Sequence, residues 1–282
     1  MRKNFRENLE GLAFIGPSIL GVSIFVLIPF IDVIRRSFFN AAGTGFTFLN
    51  NYSVIFHNAA FILALKNTLR FMGICIPILI GISLLIAVFL SSGLRFANYL
   101  KSAYLVPMAI PVASVVLLWR LIFHEHGYLS GMLMHFGING MDWMNTKYAF
   151  WVLVFSYVWK NLGYNIVLWM AGLTSIPNTL YESARCDGAN GFQCFLYITL
   201  PNLMPTLYTI TVLAFLNAFK VFREAYLVAG DYPHESMYLL QHLFNNWFRD
   251  LSLDKMSAGA VVIALMILVL ILVLKRSWDK EI

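Results

Sequence analysis

The chain has 282 residues, 60% of them hydrophobic and only 12% charged, with a formal net charge of +6. Soluble domains carry roughly 25% charged residues, and a mean hydropathy of +0.73 leaves too little polar surface to coat a water-soluble globule. Several stretches reach the roughly 20 apolar residues needed to cross a bilayer. The fold class is therefore all-α and polytopic, and the excess of Lys and Arg belongs at membrane borders rather than on nucleic acid.

The first stretch, MRKNFRENLEGLAFIGPSIL, lacks a small-residue cleavage pattern after a short apolar core. Its apolar run continues past Phe30, so it reads as a retained span over 12–34, with no signal peptide. A polar connection precedes a second span over 71–90. A third, over 104–123, contains Pro107 and Pro111, which free backbone carbonyls and predict a kink. The connection 124–147 includes His124-Glu125-His126. Adjacent residues do not easily place both imidazoles and the carboxylate on one ion, so a solvated loop is expected and no metal site. Spans over 148–173, 203–228 and 256–274 complete six, which puts both termini on one side of the membrane.

Basic residues divide almost evenly between the two sides. The connection 231–255 holds Asp231, Glu235, Asp250 and Asp254 against Arg249 and Lys255, which favours that connection outside and both termini in the cytoplasm. No internal repeat or second soluble domain is visible, so 1–282 reads as a single transmembrane domain. Cys75, Cys186 and Cys194 show no metal-like spacing and read as buried or reduced thiols. Asp32 is placed to pair with Arg35 or Arg36 at helical spacing.

Between spans four and five lies SIPNTLYESARCDGANGFQCFLYITLP. Ser175 can cap a helix, and Pro177 suits its first turn. A short helix from Asn178 would cluster Leu180, Tyr181 and Ala184 on one face. It would end at Gly188 and Asn190-Gly191, where positive φ is tolerated. A second helix, 192–200, would be interrupted at Pro201. Two readings stay open on residue chemistry alone. The charges of Glu182, Arg185 and Asp187 could sit among lipid headgroups, or small Ser183, Ala184 and Gly188 could admit a partner backbone.

The spacing of this stretch resembles the EAA loop of binding-protein-dependent ABC importer permeases: E-A-A, three residues, G, nine residues, I-x-L-P. Here Glu182-Ser183-Ala184, Gly188 and Ile198-Thr199-Leu200-Pro201 match throughout, with Ser183 the one departure, small for small. GPSILGVSIFVLIPF, LVPMAIPVASVVLLWRLIF and VWKNLGYNIVLWMAGLTSIPNTLYESARCDGA resemble the sugar-importer branch, with maltose-type and glycerol-phosphate-type permeases as relatives. The resemblance implies a type I importer transmembrane domain, the first of two paired permeases, in a bacterial inner membrane. Residues 175–201 would form a cytoplasmic coupling helix, contacting an ATPase through Glu182, Ser183, Ala184, Asp187, Gly188 and Pro201. The implied partners are a second permease, two ATPase subunits and an extracytoplasmic solute-binding protein, with a sugar as cargo. This chain has no GxxxxGK[ST] phosphate loop, so ATP and Mg2+ belong to the ATPase subunits, and no cofactor is expected here.

Polar residues inside spans default to functional hypotheses. Lys160, Asn161, Tyr164 and Asn165 fall within one and a half turns of span four, and Asn217, Lys220 and Glu224 form a stripe in span five. Amides, charges and flat rings suit a sugar, although Lys220, Arg223 and Glu224 could instead snorkel at the outer interface. By resemblance the substrate cavity is lined around Gly163, Tyr164, Asn217 and Ala218, and the polar stripes add Asn161, Lys220 and Glu224 as lining candidates. Lys160 and Lys220 keep a glycerol-phosphate or polyol-ester importer in view. An ion-coupled secondary transporter would need buried mid-membrane acids and repeats. A catalytic function has no Ser/His/Asp set or HExxH motif to carry it.

Overall fold

A computed structural model describes residues 14–91, 97–137 and 139–278. The helices are α1 (Phe14–Arg36), α2 (Asn50–Phe56), α3 (Ala59–Ser91), α4 (Ala97–Ala109), α5 (Val112–Phe123), α6 (Tyr128–His135) and α7 (Ala149–Thr174). They continue with α8 (Asn178–Cys186), α9 (Gly191–Cys194), α10 (Met204–Ala218), α11 (Phe222–Ala229), α12 (Leu240–Arg249) and α13 (Leu253–Trp278). No strand forms among the described residues beyond an isolated bridge, Phe39 to Phe46. By contact the chain divides into two units, Met1–Phe61 with Phe244–Val269, and Ile62–Leu243 with Leu270–Ile282.

Among the described residues, four helical stretches are long and apolar enough to cross a membrane: Phe14–Arg36, Ala59–Ser91, Met204–Tyr226 and Leu253–Arg276. Tyr99–Ala109 and Val112–His135 make a fifth when their 94° bend is counted as one broken span. The bend falls at Ile110–Pro111, where Pro111 leaves the helical region at ψ 141°, so the expected kink is a full break. The remaining expected span, α7, has the length for a crossing at 26 residues. Its polar stripe lowers its hydropathy, and more than half of its residues are buried in protein instead.

In the first unit, no residue of α1 is buried. Asp32 accepts from Arg35 Nε at 3.0 Å and Arg36 Nε at 2.7 Å, so both expected partners are used. Past the end of α1, the buried Asn51 amide donates to Ser37 and Phe39 carbonyls at 2.9 and 2.7 Å. Phe61 stacks on Trp247 with centroids 6.2 Å apart.

The second unit is built around α7. Its Tyr157 packs with Phe71, Cys75, Leu79, Ala214 and Ala218 from α3 and α10, and its hydroxyl donates to the Ala214 carbonyl at 2.6 Å. Further along α7, Ile166 and Trp169 join Ala87, Leu203 and Ile210. Trp169 Nε1 finds Ser83 Oγ at 3.1 Å, as a buried indole requires. On the other face, Trp119 of α5 donates to Ser156 at 2.8 Å. The turn after α11 is tied to α3: Asn67 Nδ2 donates to the carbonyls of Glu235 and Tyr238, and Leu240 N–H to Thr68 Oγ1. There His242 is fully buried between the Phe222 and Tyr238 rings, its Nδ1 accepting from Leu239 N–H. Burial pulls its pKa down to about 4, against a smaller opposing effect of Asp231.

All three cysteines are free; Cys75 and Cys194 are buried, while Cys186 is exposed.

Candidate functional site

Two polar regions of the second unit stand out, one at each end of the distal half of α7. The first begins where α7 stops. Ser175 does not cap α8 as expected: its hydroxyl donates to Gly172 O at 2.7 Å and closes α7 instead. The N-cap position of α8 is Pro177, which has no side-chain cap to offer. At the other end α8 closes with a Schellman pair, Ala189 N–H to Ala184 O at 2.9 Å and Gly188 N–H to Arg185 O at 3.1 Å. That geometry requires a left-handed residue one past the cap, and Gly188 supplies it at φ 84°.

Tyr181 holds α8 against the helix that follows. Its hydroxyl lies 2.9 Å from Thr199 Oγ1, and Ile176 is buried nearby with Trp169 and Leu203. Ala184, on the same side as Tyr181, is half-buried, while Glu182, Ser183, Arg185, Cys186, Asp187 and Gly188 are exposed. Leu180, expected beside Tyr181, is 42% exposed. It lies one position round the helix from the ring that reaches Thr199. The result is an amphipathic peg, tethered on one side, with acids and small residues turned outward.

The chain then re-enters a helix through a capping box, Asn190 Oδ1 accepting from Gln193 N–H and Gln193 Oε1 from Asn190 N–H. The expected interruption at Pro201 does not occur. After α9 the helix widens into a π turn, Phe195–Thr199, and runs on through Leu200–Asn202. Leu200 N–H reaches back five residues to Phe195 O, which gives the Pro201 ring room and absorbs its missing donor. The break comes instead at buried Leu203, where α10 begins.

The second region is a cavity of ≈330 Å³ bounded by α4, α5, α7, α10 and α11, with Tyr157, Lys160, Asn161, Asn217, Arg223 and Glu224 on its wall. Lys160 Nζ donates to Glu224 Oε1 at 2.7 Å, with side chains 19% and 8% exposed. Oε2 of Glu224 is buried with no partner among the described residues. Asn161 Nδ2 donates to Tyr157 O at 2.8 Å. The cavity thus gathers Asn161, Asn217 and Glu224 of the residues expected to line it.

The others lie elsewhere. A Cβ on Gly163 would stand 2.0 Å from the Tyr104 carbonyl oxygen, so this glycine lets α4 and α7 touch backbone to backbone. Ala218 is buried in the core around Tyr157. Tyr164 is half-buried and off the cavity wall. Lys220 lies in the 3-10 turn Phe219–Val221, with its side chain outside the described residues. Tyr157 and the Lys160–Glu224 pairing escaped the sequence reading. A signal for the pairing existed: a lysine at membrane depth needs a carboxylate, and Glu224 was the acid in the neighbouring stripe.

Polar clusters on long apolar helices, with an exposed peg between two of them, are what a transport subunit needs and what a soluble catalyst does not. The chain belongs to the family of binding-protein-dependent transport system inner membrane components, whose sequence model matches residues 73–278. It is thus a multi-pass membrane subunit of an ABC transport system rather than an enzyme.

Among individual relatives, it is similar to the arabinooligosaccharides transport system permease protein AraP of Bacillus subtilis, with 33% identity over 92% of this chain and 84% of that protein. The lactose transport system permease protein LacF of Rhizobium radiobacter is 26% identical over 93% and 92%. The sn-glycerol-3-phosphate transport system permease protein UgpA of Salmonella typhimurium is 26% identical over 100% and 98%. In structure it is similar to a chain of a bacterial ABC transporter that imports alginate, at TM-score 0.86 and 21% identity over 99% and 98% of the two chains. The same fold appears in that transporter bound to a pentasaccharide-loaded periplasmic protein, at TM-score 0.84 and 22% identity.

Proposed function

We propose that this chain is the sugar- or oligosaccharide-translocating permease of an ATP-driven importer in a bacterial inner membrane, with both termini in the cytoplasm. It works beside a second permease, two ATPase subunits that hold ATP and Mg2+, and an extracytoplasmic solute-binding protein. Residues 1–282 act as one transmembrane domain, and 175–201 as its coupling element. The observation that carries this reading is the exposed, acid-bearing face of α8, tethered by Tyr181 and closed by Gly188.

In this reading Glu182, Ser183, Ala184, Asp187 and Gly188 meet an ATPase groove, and Pro201 shapes the helix leading back to α10. Closure of the ATPase pair on ATP displaces α8, and the displacement passes into α7. The substrate path runs past Asn161, Asn217 and Glu224, with Gly163, Tyr164, Ala218 and Lys220 shaping or flanking it. The names of AraP and LacF favour a sugar cargo. UgpA favours a second reading, a glycerol-phosphate or polyol ester.

Copurification tests the assignment. With the neighbouring subunits coexpressed, Glu182→Lys should leave the permease folded in the membrane while the ATPase subunit no longer copurifies and cargo-stimulated ATP hydrolysis is lost. Wild-type levels of both would sink the coupling assignment.

A further inference from the structure

We propose that the Lys160–Glu224 pair makes the cavity selective for an uncharged, hydroxyl-bearing glycan and against an acidic one. This rests on the cavity being the substrate path. A lone buried lysine would draw a phosphate or a uronate. Here its ammonium sits 2.7 Å from Glu224 Oε1, and the pair is mostly enclosed by protein. An anion approaching Lys160 also meets the Glu224 carboxylate 2.7 Å from it, so the ammonium's attraction is largely cancelled in surroundings that screen the repulsion poorly.

The same carboxylate defines what is welcome. Glu224 is 7% exposed, lies on the cavity wall, and leaves Oε2 without a partner among the described residues. An ionised carboxylate only accepts hydrogen bonds, and a buried acceptor left unmet is costly. Oε2 is closed off from the cavity at rest; a sugar hydroxyl that reaches it as the wall parts can donate to it and form a charge-assisted bond, whereas an ionised uronate or phosphate group has no proton to donate there. Tyr157 has committed its hydroxyl to Ala214 O and is 2% exposed, so it offers the cavity no donor that an anion could use. Arg223 also lines the cavity but is exposed, so water competes with any ion pair it forms and such a pair is worth only about 0–1 kcal/mol.

The test uses the assembled transporter in nanodiscs without its binding protein, so that the binding protein's own preference does not enter. Saturation-transfer NMR compares neutral arabinotriose with acidic tri-galacturonate. The wild type should bind the neutral probe at least about tenfold more tightly. Glu224→Gln releases Lys160 and should weaken arabinotriose while strengthening tri-galacturonate about tenfold. Lys160→Met combined with Glu224→Gln should show no acidic gain.

Equal or tighter acidic binding by the wild type overturns the inference without any variant and leaves the cavity assignment standing. An acidic gain that persists in the double variant overturns it too, in favour of Arg223. Binding of neither probe overturns the cavity assignment itself.

Discussion

The two polar regions at the ends of distal α7 satisfy their charges in opposite ways. In the cavity, Lys160 and Glu224 meet each other, and Asn161 bonds within its own helix. On α8, Glu182, Arg185 and Asp187 face outward, held only through the backbone of a tethered peg. The contrast teaches that charge placement alone does not separate structure from function. Removing a cavity charge strands its partner in protein, whereas removing an α8 charge changes only what the helix offers to another chain.

The sharpest attack on that contrast is Lys160→Met, which leaves Glu224 buried and unpaired. Losing one member of a buried pair costs about 3–5 kcal/mol, and adding Glu224→Leu should recover most of it; thermal unfolding in detergent measures the cycle. Acid strikes the same unit from another direction. His242 is neutral when folded, with its pKa at about 4 against 6.5 for the free side chain. The unfolded chain therefore binds the extra proton first, and stability is full above pH 6.5 and falls as pH drops towards 4. The loss is about 3 kcal/mol, and His242→Phe should flatten the profile. Gly163→Ala forces α4 off α7 and should cost about 1–3 kcal/mol, visible as a lower melting temperature.

On α8 the effects shrink. Gly188→Ala meets no neighbour, only an unfavourable φ of 84°, and should cost about 1 kcal/mol. Glu182→Lys should move stability by no more than about 0.5 kcal/mol while abolishing ATPase copurification. A large stability loss there would erase the distinction between the two regions.

Much of the architecture was legible in the sequence because spans announce themselves by apolar length. The helix end at Gly188 was legible too, since turn chemistry is local, but Asn190-Gly191 does not take positive φ there: Asn190, at φ −80°, instead caps the next helix. What escaped was set by distant contacts. Ser175 had the free carbonyls that end α7 and the free N–H groups that start α8 both within reach, and composition does not say which it serves. Pro201 looks like a breaker until a π turn upstream makes room for it. Gly163 reads as a cavity residue by resemblance, yet its reason in this structure is the Tyr104 backbone, 59 residues earlier in the sequence. The Lys160–Glu224 pair likewise joins two helices whose register no single-helix pattern records.

That backbone contact at Gly163 has a mechanical consequence. From Asn161 to Thr174, α7 is an unbroken rod about 20 Å long, with the cavity at one end and the peg at the other. Gly163 grips it close to the cavity end. Ile166 and Trp169 hold the rest of its length against Ala87, Leu203 and Ile210, so in the proposed coupling a displacement at α8 would reach Asn161 as a movement of the whole rod. The contact at its cavity end is a residue with no side chain, and a single methyl group there would prise α4 away from the rod.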